Sequence, residues 1–393
     1  MLYIFNPSCE MAVRQDGKNY TPPRAIAEME RDLAPLMTFL GQDGDGIIGA
    51  PPDPALTEFW ARWFGTRAYI DEREAKSLVG SGDVIAPWGV SRDVSHRFGI
   101  VDAAGAWAWR NLLSRKTSVS VEWEAGEIIG LTPDANPILA QTEPELAKAL
   151  SENAANGGRV VLKSLWSASG RGVRFFQNNL GSGEAEAYGR KCLSADGGVV
   201  VERALRRLAE FSYIFTPEAG GLKLEGINRY HSSESGGMGW ELAGPQPLMY
   251  DLSPHKHVIE AGAEALRHVI GRKANEAGYV GPVGVDAMIY ETEDGRSKLR
   301  CCTEVNMRHC MGHVAIRLNG AFADDTSVRW RMGHFGSADD WLNFCGKESA
   351  SHPIVLDERG QISSGFFRLT GIGSGQRFGA FGWAGENGIA PPQ

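Results

Sequence analysis

The sequence predicts an α/β protein of two or three domains that opens with a small, open α/β domain. Three observations point to this. The chain has 393 residues, too many for one ordinary core. Over residues 1–105, short apolar runs alternate with helical patterns, and Gly or Pro breaks separate them. Further on, two alternating runs, GPVGVDAMIYET and KLRCCTEVNMR, are joined by EDGR, and an Asp-Gly pair between such runs signals a β-hairpin.

Within the first 105 residues, MLYIF reads as a short buried strand. Ile26, Met29, Leu33, Leu36 and Leu40 follow TPP at helical spacing. GDGIIGAP reads as a strand between turn signals, residues 54–63 as a helix, and VIAPWG as a strand entering a loop. Residues 106–118 look like a helix carrying Arg110, Arg115 and Lys116. Residues 143–155 form another, with Thr142 as N-cap and Glu145 completing a capping box. GGRVVLKSLW is a strand running into the loop SASGRG, and VRFFQ is the returning strand. GGVVVERAL and EFSYIFTP are two more strands, followed by a long helical stretch within 249–278. The last fifty residues are Gly-rich and weakly patterned, which fits extra strands or a partly irregular cap.

Composition narrows the function classes. Hydrophobic residues at 42% and charged residues at 22% are the balance of a globular protein in water. A formal net charge of −8 speaks against nucleic acid as a partner, because proteins that neutralise phosphate backbones carry a basic excess. No apolar run approaches a bilayer span, so no membrane partner is expected. MLYIFNPSCEM has neither the basic nor the long apolar region of a signal peptide. Six irregularly spaced cysteines fit free thiols in a reducing compartment, and the expectation is a cytoplasmic protein.

The hairpin carries the chemistry. Side chains on a strand alternate faces. Val283, Val285, Ala287 and Ile289 therefore form a core face, and Gly284, Asp286, Met288 and Tyr290 the other. On the second strand Arg300, Cys302, Glu304, Asn306 and Arg308 share a face, with Glu304 and Asn306 about 7 Å apart along the strand. Asp286 can sit across from them. Two carboxylates and an amide oxygen are hard ligands of the kind Mg²⁺ takes, the rest of its shell being water and phosphate oxygens. Arg308 adds a cation for phosphate or developing negative charge. Taken singly, each of these residues fits the polar outer face of a hairpin.

In order, these segments resemble the ATP-grasp superfamily, which includes D-alanine–D-alanine ligase, biotin carboxylase and carbamoyl phosphate synthetase. TEVNMR at 303–308 is similar to the family's E-[IV]-N-x-R segment, and GPVGVDAMIY to its strand ending in Val-Asp. Lys163 before SASGRGV resembles the phosphate-binding lysine and glycine-rich lid, VVVERAL the hinge strand at adenine, and Glu210 in AEFSYIF the acidic residue at ribose. The resemblance covers roughly 106–335. It implies a pre-ATP-grasp domain over 1–105, an N-terminal subdomain with the lid over 106–198, a C-terminal subdomain with the metal site over 199–340, and an extension over 341–393.

It also implies cofactors and roles. ATP and Mg²⁺ would bind, with Asp286, Glu304 and Asn306 holding the metal. Lys116 and Lys163 would contact ATP, the choice among Lys116, Arg110 and Arg115 staying open. Ser169, Gly170 and Gly172 of the lid would approach phosphate through backbone N–H groups. Glu202 and the backbone of Arg203 and Leu205 would meet adenine; the plain alternative for Glu202 is an ion pair with Arg203 or Arg206. Several ligases of the family carry an arginine two residues before the magnesium aspartate. Here that position is Gly284, so Arg229 or Arg308 would supply the charge at an acyl phosphate. Asn6, Ser8 and Glu10 in NPSCEM, and Arg24, lie where the family's first domain often meets substrate.

The function implied is an ADP-forming ligase. ATP activates a small-molecule or peptide carboxylate, and an amine or similar nucleophile attacks. A kinase on the same scaffold and a nucleotide-binding regulator without turnover are the rivals. A homodimer is an expectation by analogy. Cys301, Cys302, His309, Cys310 and His313 are clustered, but alternation sends Cys301 and Cys302 to opposite faces and no C-x₂-C spacing occurs. Buried thiols with a loop histidine are therefore preferred to zinc, with His309 or His313 a candidate for touching substrate.

Overall fold

Four short parallel strands form the first sheet, in the order β3–β2–β1–β4. The computed structural model describes residues 1–17, 19–99, 108–154, 158–167, 172–177, 183–232, 240–243 and 252–385. The first domain runs β1 (Leu2–Ile4), α1 (Cys9–Gln15), α2 (Arg24–Leu33), β2 (Gly46–Ile48), α3 (Pro54–Phe64), β3 (Ala68–Ile70), α4 (Glu72–Gly80), β4 (Ile85–Pro87) and α5 (Arg92–Arg97). The expected helix over 25–40 divides, because Pro35 sits in the first turn of a 3₁₀ segment over Ala34–Phe39. Strand order reverses beside β1, with β2 on one side and β4 on the other. In open α/β sheets such a switch point leaves a crevice beyond the strand ends. Here Asn6 closes its base: its amide donates to Gly89 O at 2.8 Å and accepts from Gly89 N at 3.3 Å.

The second unit holds α6 (Arg115–Ile128), β5 (Ile138–Ala140), α7 (Glu143–Ala154), β6 (Val160–Ser164), β7 (Val173–Phe176), α8 (Glu184–Asp196) and β8 (Val199–Arg203). The expected helix over 106–118 breaks at Ser114, whose hydroxyl caps α6 by accepting from Lys116 N at 3.3 Å. A 3₁₀ turn, Ala108–Leu113, precedes it. The Thr142–Glu145 capping box forms, with Glu145 N donating to Thr142 Oγ1 at 3.4 Å and Thr142 N donating to Glu145 Oε2 at 3.2 Å. The sheet is antiparallel, in the order β5–β8–β6–β7. Val160, Leu162, Val199 and Val201 pack with α7 and α8 residues such as Leu146, Leu150 and Cys192. By alternation, Lys163 and Glu202 point away from those helices.

The third unit is a nine-stranded sheet in the order β13–β12–β9–β10–β11–β14–β17–β16–β15. It comprises β9 (Arg206–Glu218), β10 (Gly221–His231), β11 (Trp240–Ala243), α9 (Lys256–Ala277), β12 (Val283–Glu291), β13 (Ser297–Asn306), α10 (Met311–Leu318), β14 (Val328–His334), α11 (Ala338–Ser351), β15 (Val355–Leu356), β16 (Ile362–Arg368) and β17 (Phe378–Ala384). Helices α6 and α9 cover one face. Val121, Ala125, Leu266 and Val269 pack there against Phe211, Tyr213, Val285, Ala287 and Val305. Among the described residues no helix is long and apolar enough to cross a membrane.

Strand pairing runs across two of the expected boundaries. β8 pairs with β6, so the hinge strand belongs to the smaller sheet and the division falls after Arg203 instead of after 198. β14, β16 and β17 lie in one sheet, so no boundary falls at 340. Residues beyond 341 also brace the first domain. Arg368 pairs with Asp53 at 2.9 Å, Trp60 Nε1 donates to Arg368 O at 2.7 Å, and Asp32 Oδ2 accepts from Arg377 N at 2.8 Å.

Candidate active site

The residues from the hairpin meet as alternation requires. Asp286 lies directly opposite Glu304 on β13 and opposite Ser212 on β9, and Gly284 lies opposite Asn306. Ser212 Oγ donates to Asp286 Oδ1 at 2.6 Å, and Asn306 Nδ2 donates to Asp286 Oδ2 at 3.2 Å. Burial, and then the negative charge of Glu304, push the Asp286 carboxyl up to about 6, against the hydrogen bonds from Ser212 and Asn306. Glu304 Oε1 accepts from Arg115 Nη2 at 2.8 Å. Arg308 donates through Nη2 to Asn306 Oδ1 at 2.9 Å, through Nη1 to His309 O at 3.0 Å and through Nε to Glu10 Oε1 at 2.7 Å. Glu10 follows β1 in the first domain, and Trp88 O, which follows β4, accepts from His309 N at 2.8 Å. The switch-point crevice thus docks against the segment that follows Glu304 and Asn306 of β13.

Gly284 is small for a local reason. A Cβ there would lie 2.6 Å from Cys310 Sγ, at the start of α10. α10 in turn sits close to the sheet because a Cβ on Gly312 would meet Ile214 Cδ1 at 2.5 Å. An arginine side chain two residues before Asp286 has no room.

Beside this face lies a buried chain of alternating charges. Lys163 Nζ pairs with Glu202 at 2.8 Å, Glu202 with Arg300 at 2.8 Å, and Arg300 with Glu122 of α6 at 2.7 Å. Burial raises the Glu202 carboxyl, but Arg300 and Lys163 outweigh it and hold it at about 2. At Glu122 burial wins over Arg300 and the shift is upward. Lys163 Nζ also donates to Thr303 O at 3.2 Å, tying the small sheet to β13.

No protein-family model matches the sequence. Among solved structures, the chain is similar to an N5-carboxyaminoimidazole ribonucleotide synthetase in complex with ADP, at 15% identity and TM-score 0.50, over 92% of this chain and 90% of that one. It is also similar to N5-carboxyaminoimidazole synthetase from Staphylococcus aureus complexed with ADP, at 12% identity and TM-score 0.50, over 97% of this chain and 91% of that one. This is the ATP-grasp fold.

On that fold, the ATP-grasp residues expected from sequence fall as follows. Lys116 is exposed, whereas Arg115, one position earlier on the first turn of α6, is buried and reaches Glu304. Arg115 also donates to Ser164 O at 2.8 Å and to the Ser167 hydroxyl. Arg110 stacks on Trp166 with its guanidinium carbon 4.9 Å from the ring centre. Glu202 turns inward to Lys163 and Arg300, so neither Arg203 nor Arg206 is its partner. In the hinge, Arg203 N donates to Ala135 O at 2.7 Å and Ala204 N to Arg159 O at 2.9 Å. Leu205 lies between β8 and β9, and its N–H has no backbone acceptor among the described residues. Glu210 accepts from Ser232 N at 3.0 Å and from Arg207 at 2.7 Å, and Arg229 Nε donates to Glu210 O at 3.2 Å. Gly172 closes the lid loop, with its carbonyl accepting from Ser164 N at 2.9 Å. Ser169 and Gly170 lie outside the described residues.

In the first domain, Glu10 reaches the site through Arg308. Asn6 is spent on Gly89, Ser8 N donates to Glu30 at 3.0 Å, and Arg24 is an exposed partner of Glu28. Ser212, Arg300 and Glu122 are additions. Ser212 was readable, because it alternates with Glu210 in AEFSYIF; the partner of Arg300 lies in another unit and was not.

The cysteine–histidine cluster separates. A bulge sets Ala287 against three residues of β13 between the pairs Asp286–Glu304 and Met288–Arg300. Cys301 and Cys302 therefore both enter the core under α6, contrary to simple alternation. His313 caps α10. Its Nδ1 accepts from Cys310 N at 3.1 Å, so Nε2 carries the proton and donates to Phe215 O at 3.3 Å. Burial pushes His313 down to about 4 and His309 well below its usual value. An unfolded histidine takes a proton near pH 6.5, whereas folded His313 does not until about 4. Folding stability is therefore lost as pH falls through this window, by about 3 kcal/mol for His313. Urea midpoints at pH 7.5, 5.5 and 4.5 are expected to show His313→Gln with a shallower decline than the parent; an equal decline would rule the assignment out.

Proposed function

We propose that this protein is an ATP- and Mg²⁺-dependent enzyme that activates a carboxylate as an acyl phosphate for attack by an amine or similar nucleophile. The observation that carries the reading is the pairing of Asp286 with Glu304, beside Asn306, on strands facing the lysine-bearing small sheet. Burial, and then the repulsion of the facing Glu304 carboxylate, raise the pKa of Asp286. With one neutral amide oxygen the two carboxylates form a donor set that fits Mg²⁺. When bound, the metal neutralises charge on the transferring phosphoryl group.

The chain's own residues do the rest. Leu205 N–H and the Arg203 carbonyl present a donor and an acceptor to an adenine edge, and Glu210 accepts from ribose hydroxyls. Lys163 and Arg115 turn from Glu202 and Glu304 toward phosphate oxygens. A carboxylate oxygen of the acceptor attacks the γ-phosphorus, the bond to the β–γ bridging oxygen breaks, and ADP leaves. The nucleophile then attacks the acyl carbon and inorganic phosphate departs. Arg308 commits three of its five N–H donors to Glu10, His309 and Asn306, and holds the others toward the developing charge. Arg229, buried on β10, adds positive potential.

The test is Mg²⁺-dependent ADP release from pooled carboxylates and amines, followed by isotope transfer. Acceptor labelled with ¹⁸O in its carboxylate is expected to pass one label into inorganic phosphate. A stable phosphorylated product with no released phosphate would make the protein a kinase.

A further inference from the structure

Between the first domain and the small sheet lies a cleft of about 530 Å³; of the residues assigned above to ATP, Gly172 alone lines it. Met11 and Arg14 of α1 form one wall, and Lys191 and Asp196 of α8 the other. Ser164 and Ser167 form its end, with Trp166 beside them. That end adjoins the site, since Arg115 donates to the Ser167 hydroxyl and, through its other nitrogen, to Glu304. A molecule in the cleft therefore reaches the phosphoryl end of a nucleotide without crossing the hinge where adenine would lie.

The charges of the cleft do not cancel. Arg14 is paired with Asp196 at 2.8 Å. Arg174 donates only to the carbonyl of Val173, and neither Arg174 nor Lys191 has a carboxylate partner among the described residues. Two uncompensated cations thus face a pocket whose other lining includes Met11, the Trp166 ring and Ala195. Both side chains are exposed, so their attraction for an anion is long-ranged and weakens with salt. The volume suits a small metabolite.

We propose that this cleft is the acceptor subsite, and that it takes a small acid with a second anionic group, carboxylate or phosphate, joined by a short apolar segment. The identification as acceptor rests on the ligase reading; the anion preference does not. The reacting carboxylate lies toward Ser167 and Arg115, and the second anion toward Arg174 and Lys191.

The probes are glutarate, 3-phosphooxypropionate and butyrate, titrated calorimetrically into the full-length protein with and without saturating Mg²⁺-ADP. At least one dianion is expected to bind about tenfold tighter than butyrate, whether or not Mg²⁺-ADP is present. Glutarate and 3-phosphooxypropionate separate the two sources of the second anion. Arg174→Glu with Lys191→Glu, and Lys191→Glu alone, are expected to abolish and to reduce that preference, with a melting temperature near the parent's. Equal binding of butyrate, an unchanged preference in the double variant, or loss of dianion binding on adding Mg²⁺-ADP would each overturn the proposal. Dianion binding without any ¹⁸O transfer would instead sink the ligase reading and leave the anion site standing.

Discussion

Replacing Asp286 by Asn together with Glu304 by Gln is expected to lower Mg²⁺-dependent ADP formation by about 10³-fold or more. The substitutions preserve shape. The amide oxygens they introduce can still accept from Ser212 and from Arg115. What is lost is the pair of negative charges on which the proposed Mg²⁺ site rests. The same change is expected to stabilise the metal-free fold. Asp286 is held at about 6 against an ordinary carboxylate value of 3.8, so its charged form is disfavoured in the folded state. That cost is absent below the unfolded value and fully present above about 6; near pH 7.5 it amounts to about 3 kcal/mol. Urea unfolding with and without Mg²⁺ separates the effects. The parent is expected to gain stability from Mg²⁺ by mass action, and the variant to start higher and gain nothing. Parental turnover in the variant, or an equal response to Mg²⁺, would remove these residues from the metal site.

The second large effect is at Arg300. Its guanidinium lies between Glu122 and Glu202, and all three side chains are about 5% exposed or less. Arg300→Leu leaves two carboxylates buried, with Lys163 the only remaining cation of the chain. Breaking such an arrangement costs about 3–5 kcal/mol. The pH dependence identifies the cause. Without Arg300, the folded pKa of Glu122 rises further above its unfolded value. The penalty is then absent below the unfolded value and grows as pH rises toward the folded one. Arg300→Leu is expected to be least stable near pH 8 and to recover toward pH 5, as read from urea midpoints. Adding Glu122→Gln is expected to restore much of the loss, a coupling that a double-mutant cycle measures. A deficit that is the same at every pH would mean lost packing instead of unpaired charge.

Both predictions concern one machine seen from two sides. Asp286 and Glu304 are costly to hold together, while the Lys163–Glu202–Arg300–Glu122 chain ties the small sheet to the large one beside them. Glu10 and Trp88 do the same from the first domain, through Arg308 and His309. The C-terminal strands complete the frame by fastening Asp53, Trp60 and Asp32 of that domain. The site is thus assembled where three sheets meet.

The facing of Asp286 with Glu304 and Asn306 was legible because a strand has a period of two and an Asp-Gly turn fixes which strands pair. Thr142 and Glu145 were legible because a capping box is complete within four residues. These are local rules, and the sequence by itself determined them. The C-terminal strands were legible only as extra strands or an irregular cap, without positions, because FGAFGWA is buried on both faces and so shows no alternation. The choice among Lys116, Arg110 and Arg115 was open in the sequence; Arg115 is the one that reaches Glu304, since consecutive helical residues diverge by about a quarter turn and the helix start at Ser114 decides which one faces the large sheet. Cys302 went to the core because a bulge interrupts the period that would have sent it elsewhere. Glu202 found Arg300 and Lys163 instead of its sequence neighbours, because burial rewards the partner already held in place by another sheet. Only the tertiary structure decided these: each depends on the position of a group far away in the chain, and no local pattern carries that.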